Sequence, residues 1–301
     1  MKKAVVTGGA GFIGTHIIDQ LVERGYEAHS VDNYVAGRHA DRVNPKATYH
    51  ELDVRDPKLV DIFAGADVVF HTAALPRVPY SIEHPVETTD ANVLGTVAAL
   101  EAAVKAGVRR FVYSSSGSSY GDQTVLPLVE TMPGNPVNPY GLQKYAGELF
   151  TNLWPSLYPI ETVSLRYFNV YGPKLDPNGP YALAIGRFLM ARKNGTPITI
   201  YGDGSVTRDF THVRDVARAN ILAAESEKVG KSATINIGAG RNVTIQYLAS
   251  LFGGEVVYEA PRIEAHDSLA DNQKAKELID WVPEVVLEDG IQELKAQYGI
   301  A

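Results

Sequence analysis

The 301-residue chain has no cysteine. That excludes disulfides, thiolate metal sites and cysteine nucleophiles, and it suits a cytoplasmic protein. No apolar run approaches the roughly 18 residues of a membrane span, so a membrane is not expected as a partner. The opening stretch MKKAVVTGG passes straight into a strand pattern without an apolar h-region or cleavage site, and no signal peptide is expected. Positive charge is not in excess: 28 Lys and Arg against 35 Asp and Glu leave a net charge of −7. The chain therefore carries no electrostatic footprint for nucleic acid. An anionic small molecule stays possible, because helix N-termini and local arginines bind phosphate whatever the net charge. No internal repeat and no low-complexity tract occurs. With 45% hydrophobic and 21% charged residues, the composition is that of a soluble globular protein of one or two domains.

What is present is an alternation of strand and helix patterns. KAVVTG reads as a strand, and Gly11 to Glu23 has helical spacing ending near Gly25. AHSVDN, DVVFHTAA, RRFVYSSS and ETVSLRYFNVYG read as further strands. A long helix is expected from about Val86 to Lys105, and another after Asn138. This order predicts an α/β protein, a Rossmann-type doubly wound parallel sheet with helices on both faces. After Tyr171 the pattern loosens in GPKLDPNGPYA, which reads as the start of a smaller C-terminal α/β lobe. TRDFTHVRDVARANILAAE and ATINIG are expected to return to the main sheet. The expected division is residues 1–170, with returning segments at about 206–238, as the dinucleotide-binding domain. Residues 171–205 and 239–301 form the substrate-binding lobe.

Residues 7–14 read TGGAGFIG between a strand and a helix. Gly8 permits the tight turn, Gly11 lets backbone approach a pyrophosphate, and Gly14 lets helix and sheet pack closely. The phosphates would meet the free N–H groups of the helix N-terminus. A plain glycine-rich turn is the bland alternative, and Asp32 alone could be only a turn residue. Together they favour a dinucleotide site, because Asp32 closes the second strand. Its carboxylate accepts from the adenosine ribose hydroxyls and repels a 2′-phosphate, so NAD is expected rather than NADP.

NPYGLQKYAGE, residues 138–148, places Tyr140 and Lys144 four apart. Asn138 suits an N-cap and Pro139 the first helical position, so both side chains share one helix face. A phenol is a poor base near neutral pH. A neighbouring ammonium, the positive helix end and a nicotinamide cation are expected to lower its pKa. Such a base can take a proton from an alcohol while hydride leaves the same carbon for NAD⁺. With 16 tyrosines, roughly one Tyr-x-x-x-Lys is expected by chance, so position after the fifth strand carries the weight. SSSGSSYG, residues 114–121, ends that strand where ligands bind in such sheets. The Ser116 hydroxyl could orient the reacting oxygen, although a serine-rich loop is the plain alternative.

These stretches, with LDVRD, NVLGT, RYFNVYGP, IYGDGSVTRDFTHVRD and LADNQKA, resemble the extended short-chain dehydrogenase/reductases along nearly the whole length. The likeness is to the nucleotide-sugar C4-epimerase branch. The resemblance implies Ser116, Tyr140 and Lys144 as the catalytic set. It implies Gly8, Gly11, Phe12, Ile13, Gly14, Asp32, Asn33, Asp53, Val54, Ala73 and Ala74 as NAD contacts. It also implies Asn169, Tyr201, Arg208, Arg262 and Ser268 as contacts to a UDP-sugar. His71, on a buried strand, reads as structural. Dehydratases resembling this chain carry an Asp-Glu pair after the strand-five residue, and decarboxylases a Glu. Gly117 and Ser118 stand there instead, which favours reversible epimerisation through a 4-keto sugar. A nucleotide-sugar 4-reductase is the alternative, followed by a non-catalytic NAD-binding regulator. The helices near Val86 to Lys105 and Pro139 to Leu153 resemble those that pair in family homodimers. Ser268, three before Asp271, stands where a tyrosine resembles enzymes restricted to UDP-glucose and UDP-galactose. Its small side chain implies that UDP-GlcNAc and UDP-GalNAc are accepted too.

Overall fold

In the computed structural model, which describes residues 1–177, 184–261 and 267–300, the β-branched runs become strands with side chains alternating between two apolar layers. They are β1 (Lys3–Thr7), β2 (Glu27–Asp32), β3 (Thr48–Glu51), β4 (Ala66–His71), β5 (Arg110–Ser116) and β6 (Glu161–Tyr167). Five further strands follow: β7 (Ile198–Tyr201), β8 (Thr207–Asp209), β9 (Ala233–Ile237), β10 (Asn242–Thr244) and β11 (Val256–Glu259). The main sheet runs β3-β2-β1-β4-β5-β6-β9 and every pairing in it is parallel. The doubly wound fold expected from the sequence is thus present. The strand order reverses between β1 and β4, and a crevice opens beyond their carboxyl ends.

The helices are α1 (Phe12–Glu23), α2 (Leu59–Phe63), α3 (Val78–Glu83), α4 (Pro85–Thr89), α5 (Gly95–Lys105), α6 (Pro139–Leu153), α7 (Ala184–Asn194), α8 (Val213–Glu225), α9 (Ile245–Phe252), α10 (Gln273–Ile279) and α11 (Leu287–Tyr298). Adjacent strand residues face opposite layers. Val6 and Val112 join Ile17, Ile18 and Leu21 of α1 and Val216 and Ile221 of α8. Val5 and Phe111 join Leu59 and Phe63 of α2 and Ala99 and Leu100 of α5. A third core joins Ile185 and Leu189 of α7, Ile198 of β7, Leu248 and Phe252 of α9 and Ile291 and Leu294 of α11.

Two expectations are amended. The long helix after Pro85 is not uniform: a π-helical turn, Asp90–Leu94, separates α4 from α5. The turn aims Asn92 inward, and Thr96 Oγ1 donates to its carbonyl at 2.7 Å. Of the segments expected to rejoin the sheet, ATINI does so as β9 beside β6, and α8 covers one face against α1. Thr207–Asp209 instead pairs antiparallel with β10 in a separate two-stranded sheet. Buried Arg110 ties the end of α8 to β5, donating to the carbonyls of Ala223 and Ala224 at 2.9 Å and of Ser226 at 2.7 Å. A cation there also suits the negative end of the helix dipole. Among the described residues, no helix is long and apolar enough to cross a membrane.

Candidate active site

A cleft of about 460 Å³ lies along the carboxyl ends of the strands. The glycine loop forms its rear. Gly8 has φ of +70°, and a Cβ there would lie 2.7 Å from the Ala73 nitrogen. A Cβ on Gly14 would collide with the Gly8 carbonyl. Gly11 caps α1 without a side chain, and the first helical bond is Thr15 N–H to Gly11 O at 3.1 Å. The N–H groups of Phe12, Ile13 and Gly14 precede that bond, among the donors a helix leaves unpaired at its start. Close backbone, free donors and a positive helix end together fit a pyrophosphate.

Asp32 stands at the end of β2. Its carboxylate accepts from Ala10 N–H at 3.1 Å and Tyr34 N–H at 2.8 Å, which fix its direction. Burial raises its pKa, and the two backbone donors act against that rise. Asn33 Nδ2 donates to Asp53 at 2.9 Å, and Arg55 holds both Asp53 oxygens at 2.7 Å. The Arg55 guanidinium brings the Asp53 carboxyl down to about 2 despite partial burial. Val54, Ala73 and Ala74 complete an apolar wall of the same cleft. These residues fit the adenosine and ribose of a dinucleotide.

At the other end of the cleft, Asn138 Oδ1 caps α6 by accepting from Gly141 N–H at 2.9 Å. Tyr140 N–H donates to Ser81 Oγ of α3 at 3.1 Å. Ser116 hydrogen-bonds the Tyr140 phenol and also accepts from Ser118 N–H at 3.1 Å. Lys144 Nζ donates to the Ser114 carbonyl at 2.8 Å. The three residues expected to act together therefore converge at the end of β5. Their electrostatics differ from the expectation of a lowered tyrosine pKa. Burial pushes Tyr140 up to about 12, only partly offset by Ser116, and it takes Lys144 down to about 8. Desolvation is the largest cause for both groups in the protein alone, without the nicotinamide cation that the expectation included.

Asn169 lines the same cleft, with φ of +29°. Its Nδ2 donates to the Asp209 carbonyl at 2.8 Å and to Ser268 Oγ at 3.4 Å. Ser268 N–H in turn donates to the Thr207 carbonyl at 3.3 Å. Arg208 lies between Thr207 and Asp209 on β8, with Nη1 2.9 Å from the Thr207 carbonyl. Tyr201 ends β7, and the Arg187 guanidinium lies 5.8 Å from its ring. Arg208, Tyr201 and Ser268 do not line the 460 Å³ cleft itself; Ser268 adjoins it through Asn169. Arg262 lies outside the described residues. His71 is fully buried between the Thr7 and Thr96 hydroxyls, and burial takes it down to about 3.

Sequence reasoning passed over Asp209. Its buried carboxylate accepts from Ala239 N–H at 2.6 Å, Gly240 N–H at 3.1 Å and Ala270 N–H at 3.0 Å. Burial lifts its pKa to about 6 against those three bonds. Asp209 thus gathers β8, the turn after β9 and the segment carrying Ser268. Its place beside Arg208 in TRDF was the available signal.

Residues 4–238 match the model of the NAD dependent epimerase/dehydratase family. The chain belongs to this family. Within it, a Methanocaldococcus jannaschii relative, itself only provisionally assigned as a UDP-glucose 4-epimerase, is 42% identical over 96% of this chain and 95% of its own. The solved UDP-glucose 4-epimerase of Thermotoga maritima, with UDP-glucose, is 37% identical. It superposes with a TM-score of 0.93 over 99% of this chain and 98% of that one. The UDP-N-acetylglucosamine 4-epimerase of Methanobrevibacter ruminantium, with UDP-N-acetylmuramic acid, is 34% identical with a TM-score of 0.91, covering 98% of this chain and 99% of that one. NAD is the cofactor of the epimerase/dehydratase family, and the glycine loop and Asp32 suit it without a 2′-phosphate.

Proposed function

We propose that this family member interconverts C4 epimers of UDP-hexoses, UDP-glucose and UDP-galactose first, through a 4-keto intermediate with tightly held NAD. The observation that carries this reading is the convergence of Ser116, Tyr140 and Lys144 beside a turn with no carboxylate. Gly117 and Ser118 carry no acid, and a Cβ at Gly117 would already press on the Phe168 ring at 3.2 Å. Elimination or decarboxylation by an acid at that position is thereby disfavoured.

The Tyr140 oxygen takes the proton of the sugar C4 hydroxyl, and Ser116 holds the same oxygen in line. The glycine loop and Asp32 would hold NAD, which would supply the acceptor and donor for the C4 hydride. Lys144, anchored on Ser114, supplies positive charge beside the phenolate. Once the ketosugar has turned over, so that hydride returns to the opposite face of C4, Tyr140 gives its proton back to the C4 oxygen. For the sugar to turn over, binding must rest on the nucleotide and diphosphate, and Asn169 and Arg208 suit that task. Ser268, bonded to Asn169 at the edge of the cleft, is a small side chain compatible with an acetamido group nearby. That supports acceptance of UDP-GlcNAc and UDP-GalNAc, as does the likeness to the Methanobrevibacter ruminantium enzyme.

The active form is proposed to be a cytoplasmic homodimer. The lack of cysteine suits the first part. The second rests on exposed Leu142, Leu149 and Leu153 of α6 with Val86 and Leu94 beside it. Incubation with UDP-glucose and no added cofactor, followed by chromatography of the C4 epimers, tests the reading. UDP-galactose is expected. Turnover only with added nicotinamide cofactor, consumed in step with product, would make the protein a reductase instead.

A further inference from the structure

Gln143 lies between the two residues just discussed, three after Tyr140 and one before Lys144. It is 3% exposed, and its only described partners lie on the segment that carries the π-helical turn. Gln143 Oε1 accepts from Asn92 Nδ2 at 2.8 Å. Its Nε2 donates to the hydroxyls of Thr88 at 2.9 Å and Thr89 at 3.1 Å. Asn92, 2% exposed, grips the backbone of Leu75: its Oδ1 accepts from Leu75 N–H at 2.7 Å, and its Nδ2 donates to the Leu75 carbonyl at 3.1 Å. Leu75 and Ala91 both line the cofactor cleft.

The polarity of this chain has one solution. A backbone N–H can only donate, so Asn92 must turn Oδ1 to Leu75 and Nδ2 to Gln143. Gln143 must then present Oε1 to Asn92 and Nε2 to the threonines. The Thr88 hydroxyl spends its own proton on the His84 carbonyl at 2.9 Å, which leaves its lone pair for Gln143. An ordinary α-helical path would not require the extra residue of the π-helical turn, and such turns recur at functional sites.

We propose that Gln143 is a positioning residue: through Asn92 it fixes the cleft wall at Leu75 relative to the helix that carries Tyr140 and Lys144. Ser81 anchors the start of that helix, and Gln143 anchors it one turn later. The inference deepens the epimerase reading and rests on it for the kinetic readout only; cofactor retention is read independently. A buried apolar side chain in place of Gln143 leaves Asn92 and two threonines short of a partner, and the wall and helix are free to shift. A displacement near 1 Å at reacting groups costs about 100-fold in rate.

The test compares Gln143→Leu with wild type as holoprotein, well below the melting temperature of each. Thr151→Val is the control, since Thr151 is as buried on the same helix but its hydroxyl donates only to the Gly147 carbonyl one turn back. Expected for Gln143→Leu are release of NAD on dilution faster by about tenfold and kcat lower by about 10- to 100-fold, with KM for UDP-glucose little changed. Thr151→Val should lower stability and leave both rates near wild type. Wild-type NAD release in Gln143→Leu, or equal losses in Thr151→Val, would overturn the proposal. If Gln143→Leu does not fold, Thr88→Val removes one link at nearly constant volume and should shift NAD release the same way; no shift overturns it. A wild type that releases no UDP-galactose refutes the epimerase reading, while the NAD release rates still decide the role of Gln143.

Discussion

Lys144 and Ser114 are joined by a 2.8 Å hydrogen bond from Nζ to the backbone carbonyl, which pins the cation two residues from Ser116 on the same strand. The helix can thus place Tyr140 over Ser116 only in one rotation about its axis. The proposed catalytic set is held by secondary structure at both ends, so single substitutions should separate chemistry from folding.

Tyr140→Phe keeps the ring and loses only the hydroxyl. Turnover of UDP-glucose should fall by about 10²–10⁴-fold while the protein folds and retains cofactor. Initial rates, with mass analysis of the nucleotide released on denaturation, check both halves. The released nucleotide should be NAD, because Asp32 disfavours a 2′-phosphate. A rate within about tenfold of wild type would show that another group is the base.

Burial of Lys144 gives a pH signature with a definite sign. Its pKa is about 8 in the folded protein against an ordinary 10.5. Below about pH 8 both folded and unfolded chains hold the proton, and the cost of burying the cation is present in full. Between about 8 and 10.5 the unfolded chain holds a proton the folded one has lost, so stability rises with pH. Tyr140, pushed up to about 12, acts in reverse above its ordinary 10. Lys144→Met should abolish the alkaline gain. Denaturant unfolding of NAD-free wild type and variant across that window measures it, at up to about 1.4 kcal/mol per pH unit. Parallel pH profiles would show that Lys144 is not desolvated.

Leu142, Leu149 and Leu153 lie on one stripe of α6 and are each about half exposed. Val86 stands 83% exposed on the neighbouring helix, and the proposed homodimer would cover this stripe. Light scattering at micromolar concentration should give twice the chain mass, and Leu149→Glu should give the single mass. A monomeric wild type would contradict the assembly.

Ser268→Tyr adds a ring beside Asn169, the position the proposed reading assigns to an acetamido group. Turnover of UDP-GlcNAc should fall while that of UDP-glucose stays near wild type, because the effect is steric and confined to the larger substrate. Competition assays with the two sugars check this. Equal losses would place Ser268 in the support of Asn169 rather than in sugar selection.

The sheet and the catalytic helix were legible because their signals are local. Asn138-Pro139 marks a helix start, TGGAGFIG marks a strand-to-helix turn, and alternation of patterns implies parallel pairing. The π-helical turn at Asp90–Leu94 was not legible, because its cause is distant: Asn92 is drawn inward by Leu75 and Gln143. The pairing of Thr207–Asp209 with Asn242–Thr244 is likewise fixed by contacts the strand's own three residues do not announce. The burial that raises the Tyr140 pKa in the protein alone was hidden for a related reason. Charge proximity can be read from spacing, but the depth of burial that opposes it cannot.

In the proposed reaction, hydride leaves C4 of the sugar and returns to the same carbon. UDP-glucose carrying deuterium at C4, incubated with the purified protein and no added cofactor, tests this directly. The account predicts UDP-galactose that keeps the deuterium at C4. Loss of the label to solvent, or its transfer to added nicotinamide cofactor with no C4 epimer formed, would contradict it.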